Sequence, residues 1–480
     1  MQPSTRDAVP EQSVSSPPVN GGAWFRAFLL RLHFYAGILA APFLLIAAVT
    51  GGLYALTPQL EKVLYARELH VDPVPEPLPL SAQVRSAVEH MEGAAPVSVR
   101  PAPGPEDTAR VLFADPSLGE SQFRTIFLDP GNAEIRGDLP SYGGSGSLPL
   151  RTWISNLHRS LNLGEPGRMY SELAASWLWL VALGGLLLWL DRRRRERTRE
   201  GTRQDPVRRA TSGRSRILRL HGTTGAVLLV AFLFLSSSGL SWSARAGENI
   251  TALRGALGWT TPTVSTVLPG HDAADHGGHG EHSGHGGDAS GNAAVRPESF
   301  DEVLRIARAD VITARMIDIA VPTGPHKAWT VTEAGREWSA TASVVAVDPA
   351  AGTVTSRADF DDFGPAAKLT RWAIAGHMGL LFGLPNQIFL FLVATGLCAM
   401  IVWGYVMWWK RRPTRGSAWA FGPAPRGGFL NGPRAGVLAV IALMVAVGIF
   451  LPLLGWSLLA FVALDCVLGL IKRRRPSPVR

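Results

Sequence analysis

Residues 31–37 read RLHFYAG and residues 219–225 read RLHGTTG, and each string opens a long apolar run. In both, a glycine follows the histidine at four residues and another at eighteen: Gly37 and Gly51 after His33, Gly225 and Gly239 after His221. A second pair repeats further on. His158 leads to Gly164 and Pro166, and His377 leads to Gly383 and Pro385 at the same offsets. The interval from Pro166 to Arg192 also recurs from Pro385 to Arg411. Histidine near lipid is costly without a partner, so its repeated placement at the edges of apolar runs asks for a functional reason. The chain reads as two copies of one unit, each carrying two histidines.

The surrounding composition is that of a membrane protein: 46% of the 480 residues are apolar and 18% charged. The net charge of +9 is no nucleic-acid footprint, because twelve arginines against Glu196, Glu200 and Asp205 between 192 and 219 supply all of it. Cys398 and Cys466 both lie in apolar runs, which excludes a CxxC motif, an iron–sulfur site and a disulfide framework. A spanning helix needs ~20 apolar residues, which places spans at 26–56, 171–191, 217–242 and 386–409. The first is too long for a signal-peptide core and reads as retained. The last run, 435–471, has Arg434 and Lys472 at its ends and Pro452 near its middle. It is too long for one crossing and reads as a hairpin of two short helices.

Short basic segments mark the cytoplasmic side. Arg26, Arg31, the 192–216 loop, the 410–434 loop and the 472–480 tail are therefore expected inside, with the 1–25 tail disordered. Both termini are then cytoplasmic in a bacterial inner membrane, and 57–170 and 243–385 lie outside. These outer segments repeat as well. FLDPGNAEIRG (127–137) and VAVDPAAGTVTSR (345–357) each read as strand, turn and strand. SAQVRSAVEHM (81–91) and SFDEVLRIARAD (299–310) read as amphipathic helices ahead of them. Each outer segment is thus expected to be a small α+β domain. Between Trp242 and Ser299 the second copy gains an insertion, the tract near 268–292, with His271, His276, His279, His282 and His285. Gly-rich chain of this kind forms no core but can wrap a divalent cation such as Zn²⁺, Cu²⁺ or Ni²⁺, or serve as a spacer.

Taken together, the RLH strings, the Asp-Pro hairpins and LHRSLNLGEPGR (157–168) ahead of a span ending WLDRRRR (189–195) resemble the PepSY-associated transmembrane family over about 26–412. The second copy departs where Met378 and Gly379 follow His377. The expected fold is a polytopic α-helical membrane protein: duplicated two-helix units forming a four-helix core, each with an external α+β PepSY-like domain, plus the C-terminal helical hairpin. Members of this family are described as iron-regulated membrane proteins, and some as ferric-siderophore reductases with b-type haem between the helices.

His33 and His221 enter the membrane from the cytoplasmic side at equivalent depth, whereas His158 and His377 each precede a helix descending from outside. One pair therefore belongs to each face. Two facing neutral imidazoles are the usual means of holding six-coordinate haem b, with each other ring nitrogen fixed by an acceptor. Gly37, Gly51, Gly52, Gly184, Gly185, Gly225, Gly239 and Gly396 would allow close helix approach or leave room for a porphyrin face. The expectation is two haems b, on His33 with His221 and on His158 with His377. Electrons would pass from a quinol or a cytoplasmic reductase to an external ferric-siderophore or related metal complex. No P-loop, GxGxxG or HExxH motif offers a nucleotide or hydrolytic site instead. Three other readings stay open: interfacial or helix-capping histidines, a metal-ion transport or binding protein, and a non-enzymatic PepSY module binding peptides or partner proteins. Asp465, within the last apolar run, reads as a packing or snorkelling acid.

Overall fold

The computed structural model describes residues 21–200, 213–270, 295–309, 312–335, 341–411, 429 and 432–474. It is a polytopic helical membrane protein. The first apolar run is two consecutive helices, α1 (Gly21–Leu39) and α2 (Ala41–Leu64), with a break at Ala40. Pro42 causes the break, since it has no N–H for the carbonyl of Ile38 one turn back. The hydroxyl of Tyr405 donates to that carbonyl instead, at 3.0 Å. α2 continues past residue 56, because its polar last turns find partners: Gln59 donates to Gln387, and Glu61 accepts from the backbone of Leu148.

The short α3 (Ala66–Leu69) and then α4 (Leu80–His90) lead into four strands: β1 (Pro96–Arg100), β2 (Ala109–Ala114), β3 (Gln122–Leu128) and β4 (Ile135–Tyr142). Helix α5 (Pro149–Ser160) follows, then α6 (Glu165–Glu200), which takes in the expected second span and runs on into the arginines. α7 (Gly213–Leu240) starts a similar series: α8 (Arg245–Ala256), α9 (Glu298–Ala309), β5 (Ile317–Ala320), β6 (Trp329–Glu333), β7 (Val344–Asp348), β8 (Thr353–Ala358), α10 (Pro365–His377) and α11 (Leu384–Trp409). Among the described residues, α2, α6, α7 and α11 are long and apolar enough to cross a membrane. α6 packs along α7, and α2 along α11.

The strands correct one expectation. The two segments do not close as separate α+β domains but share one eight-stranded sheet, ordered β4-β3-β2-β1-β5-β6-β7-β8 and antiparallel at every pairing. Alone, each four-stranded half would expose β1 or β5 as an open edge; pairing β1 with β5 removes both edges. The hairpins fall where the sequence put them, because Asp129 and Asp348 each accept from backbone two residues on, at 2.8 and 2.9 Å. Leu80, Val84 and Ala87 of α4 and Phe300, Val303 and Ala307 of α9 lie at helical spacing. They cover one face of the sheet in a single core with Val99, Val111, Ile126, Ile319, Val331 and Val345.

The last apolar run turns at Leu451, ahead of Pro452, into α12 (Arg434–Phe450) and α13 (Pro452–Arg474), packed on one another as a hairpin. It docks against the first span: Arg31 and Asp465 form an ion pair, 5% and 4% exposed. Asp465 also accepts from the backbone of Phe429, whose carbonyl takes the indole N–H of Trp24. Asp465 therefore does not snorkel, and Arg31 is not a free surface charge. A buried acid in an apolar helix finds a cation or is costly.

Candidate functional site

Eighteen residues separate His33 from Gly51 and His221 from Gly239. At ~1.5 Å per residue this is about 27 Å of helix, close to the ~30 Å thickness of a bilayer core. The structure uses that spacing twice. Gly51 and Gly239 are the places where the second histidine of the same half is seated. A Cβ on Gly51 would lie 3.0 Å from Cε1 of His158, and one on Gly239 would lie 3.7 Å from Cε1 of His377. The glycines thus make room for imidazole rings.

The residue before each glycine fixes the ring. Thr50 Oγ1 stands 3.0 Å from His158 Nδ1, and Ser238 Oγ stands 2.7 Å from His377 Nδ1. Each hydroxyl already donates its one hydrogen to a carbonyl a turn back, Ile46 at 2.7 Å and Phe234 at 2.6 Å. The hydroxyl oxygen therefore accepts, and the histidine Nδ1–H donates. Nε2 is left with its lone pair.

At the other end of the helices the acceptors are backbone. His33 Nδ1 donates to the carbonyl of Val181 in α6 at 3.2 Å, and His221 Nδ1 to that of Met400 in α11 at 3.0 Å. Carbonyl oxygens only accept, so these imidazoles too carry hydrogen on Nδ1 and a lone pair on Nε2. A helical side chain hangs over the carbonyl four residues earlier. At Val181 the residue in that position is Gly185, which leaves the carbonyl open to a visiting ring. His33 packs directly on Gly185, where a Cβ would stand 3.1 Å from Cε1.

The four histidines fall into two tiers. His33 and His221 face each other with ring centroids 6.3 Å apart and planes at 84°. Two metal–nitrogen bonds of ~2 Å on opposite sides of one ion put imidazole centroids on the order of 6 Å apart, so this pair has the reach to share an ion. His158 and His377 lie within electrostatic reach of each other, and Trp242 meets His377 edge-on at 5.4 Å. Two imidazole nitrogens do not complete a metal's coordination by themselves, so each pair would suit a metal that is also held by a bound group, and the tied Nδ1 atoms are the outer contacts that ligating histidines need. Among the described residues, no group of three or more His, Cys, Asp or Glu side chains is arranged to hold a bare metal ion. His271, His276, His279, His282 and His285 lie outside the described residues. His70 and His90 sit at the surface beside Asp107 and Asp138, at 3.7 and 3.5 Å.

Several contributors were not singled out from the sequence. Thr50 and Ser238 were legible, as a hydroxyl residue before the repeated glycine in both halves. The carbonyls of Val181 and Met400 were not, since backbone carries no residue signal. Glu172, 2% exposed, accepts from the first amides of α8, Arg245 and Ala246, at 3.0 and 3.1 Å, tying α6 to the start of the second half's sheet segment. It stood in an otherwise apolar run with no repeat partner to mark it.

No curated protein matches the chain in a sequence search. A family model for the PepSY-associated TM region matches residues 30–411, a stretch that contains all four paired histidines and both halves of the sheet. The chain belongs to that family.

Proposed function

We propose that the protein carries electrons outward across a bacterial inner membrane, both termini cytoplasmic, to reduce an external ferric-siderophore or related metal complex. One observation carries this reading: four imidazoles in two tiers, each with Nδ1 committed to an acceptor and Nε2 free. His33 with His221, and His158 with His377, are the residues that would hold haem b. Bound there, haem supplies reversible one-electron chemistry. The protein's own part is to fix ring orientation and tautomer through Val181, Met400, Thr50 and Ser238. The apolar helices around these rings keep water away. The donor is a quinol or a separate cytoplasmic reductase. Reduction releases iron because hard oxygen ligands hold Fe²⁺ less tightly than Fe³⁺. The basic residues 192–195 at the end of α6 support the orientation. We assign His271, His276, His279, His282 and His285 a lesser role, weak capture of a divalent cation outside the membrane.

A reduced-minus-oxidised absorption spectrum of the purified protein tests the central claim. Soret and α bands of b type, at two haems per chain by pyridine haemochromogen assay, are expected; their absence refutes it. For the histidine tract, deletion of 271–287 is expected to lower metal stoichiometry by calorimetry. Unchanged stoichiometry removes that assignment.

A further inference from the structure

Strand register sets Arg100 of β1 opposite Arg110 of β2, and Arg110 opposite Phe127 of β3. Directly opposed residues share a face, and the neighbours Val99, Val111 and Ile126 belong to the core under α4 and α9. The two arginines are therefore on the other face of the sheet. Like charges placed directly opposite are destabilising. Arg100, 7% exposed, is partly compensated: its Nε and Nη2 donate to Oδ2 of Asp318 across the β1–β5 seam, at 2.9 and 2.8 Å. Its Nη1 turns elsewhere, toward Gly146. A Cβ on Gly146 would overlap Nη1 of Arg100 and lie 3.3 Å from Nη1 of Arg110, so the ends of both guanidinium groups converge on this glycine.

Arg110 lacks the compensation that Arg100 has. Its guanidinium lies over the ring of Phe127, 5.4 Å from the centroid. Among the described residues, no acceptor hydrogen-bonds it and no carboxylate reaches ion-pair distance. Glu61 and Asp107 act on it only from further away. Burial, with Arg100 beside it, pulls Arg110 down to about 10. A half-buried guanidinium set beside a second one, with no carboxylate at contact distance, has donors to spare, and the arginine fork matches the oxygens of a carboxylate or phosphate. At the matching place in the second half, Ala320 of β5 stands opposite Thr330 of β6.

We propose that Arg100 and Arg110, against Gly146, form a binding site for an oxyanion group, a phosphate or carboxylate. The fork of Arg110 and the remaining Nη1 of Arg100 are the donors. Glu61, near the end of the membrane-crossing α2, is close enough to act on Arg110, so the site lies where the sheet meets the membrane helices. The group can come from a lipid headgroup or from a soluble anion. Nothing in this site depends on the histidines or on haem.

The test uses the full chain in neutral detergent. Thermal unfolding is followed with inorganic phosphate and with citrate, against chloride at equal ionic strength, and phospholipid retained after delipidation is weighed by native mass spectrometry. Wild type is expected to show a saturable rise in Tm with either anion, or about one retained phospholipid displaced by phosphate. The first outcome marks a soluble anion and the second a headgroup. Arg110→Gln is expected to weaken binding at least tenfold. Arg85→Gln, removing an exposed arginine paired with Glu298, leaves it unchanged. Should Arg110→Gln fail to fold, Arg110→Lys keeps the charge, loses the fork, and is expected to bind at least threefold more weakly. No saturable rise together with no retained lipid overturns the proposal, as does wild-type affinity in the folded Arg110 variant.

Discussion

In the first half of the chain, His33 lies two residues from Arg31, which is buried against Asp465 of the C-terminal hairpin. In the second half the matching Arg219 is exposed beside His221. At the other tier, Tyr54 takes the guanidinium of Arg151 with its hydroxyl at 3.3 Å. Trp242, which matches Tyr54, lies against the ring of His377 instead. Yet the imidazoles are tied by one scheme in both halves: Thr50 before Gly51, Ser238 before Gly239, and a helix carbonyl, Val181 or Met400, at the other ring. What recurs is what an imidazole needs in order to present Nε2. What differs is the packing one layer further out, so the rings within each pair have unlike surroundings.

The largest break of this comparison comes from removing one imidazole. His221→Ala is expected to lose about half of the haem and leave the bands of the His158–His377 centre intact, by pyridine haemochromogen assay and difference spectrum. His377→Ala is expected to do the reverse. Loss of all haem from either variant would mean that the tiers are not independent.

Next in size are two tests, one of the contact that distinguishes the halves and one of the sheet that joins them. Asp465→Ala removes the carboxylate that faces the buried Arg31, which costs about 3–5 kcal/mol, seen as a lowered thermal midpoint in detergent. Arg219→Met, at the matching exposed position, is expected to leave the midpoint unmoved. A comparable loss from both would show that the hairpin does not distinguish the halves. Phe300→Ala, in a side chain with no exposure inside the shared core, should cost about 3–5 kcal/mol. Hydrogen exchange should then rise in β2 and β6 together, although Phe300 belongs to the second half. Faster exchange confined to β5–β8 would mean two separately folding units.

Much of this was legible in the sequence because its signals are local or periodic. Apolar runs of bilayer length gave the spans, Asp129 and Asp348 gave the hairpins, and the amphipathic pattern of 81–91 gave α4. The repeat also selected the four histidines that the structure gathers. The joined sheet was not legible, since Ser98–Val99 pairing with Ile319–Ala320 is a contact between segments more than two hundred residues apart. Nor was the Arg31–Asp465 pair. Arg31 looks like any basic residue at a membrane edge, and only the docking of α13 tells it from Arg219. The repeated glycines were visible, but their purpose was not, because a missing side chain does not say which ring fills its place.

The smallest effect expected is the most specific to the seating of the rings. Ser238→Ala removes the acceptor of His377 Nδ1–H without touching Nε2. Donation from Nδ1 makes an imidazole a more basic ligand, which favours the oxidised metal. Losing the acceptor should therefore raise the midpoint potential of one centre while haem content stays whole. A hydrogen bond of ~0.5–1.5 kcal/mol corresponds to about 20–60 mV for a one-electron couple. Thr50→Val, at His158, should raise the potential of the same centre, since both histidines belong to one tier, and the double variant should add the two shifts. Shifts in two different centres would break the pairing of His158 with His377. A fall in potential would show that Nδ1 does not carry the hydrogen and that the tautomer drawn from Ser238 and Phe234 is wrong.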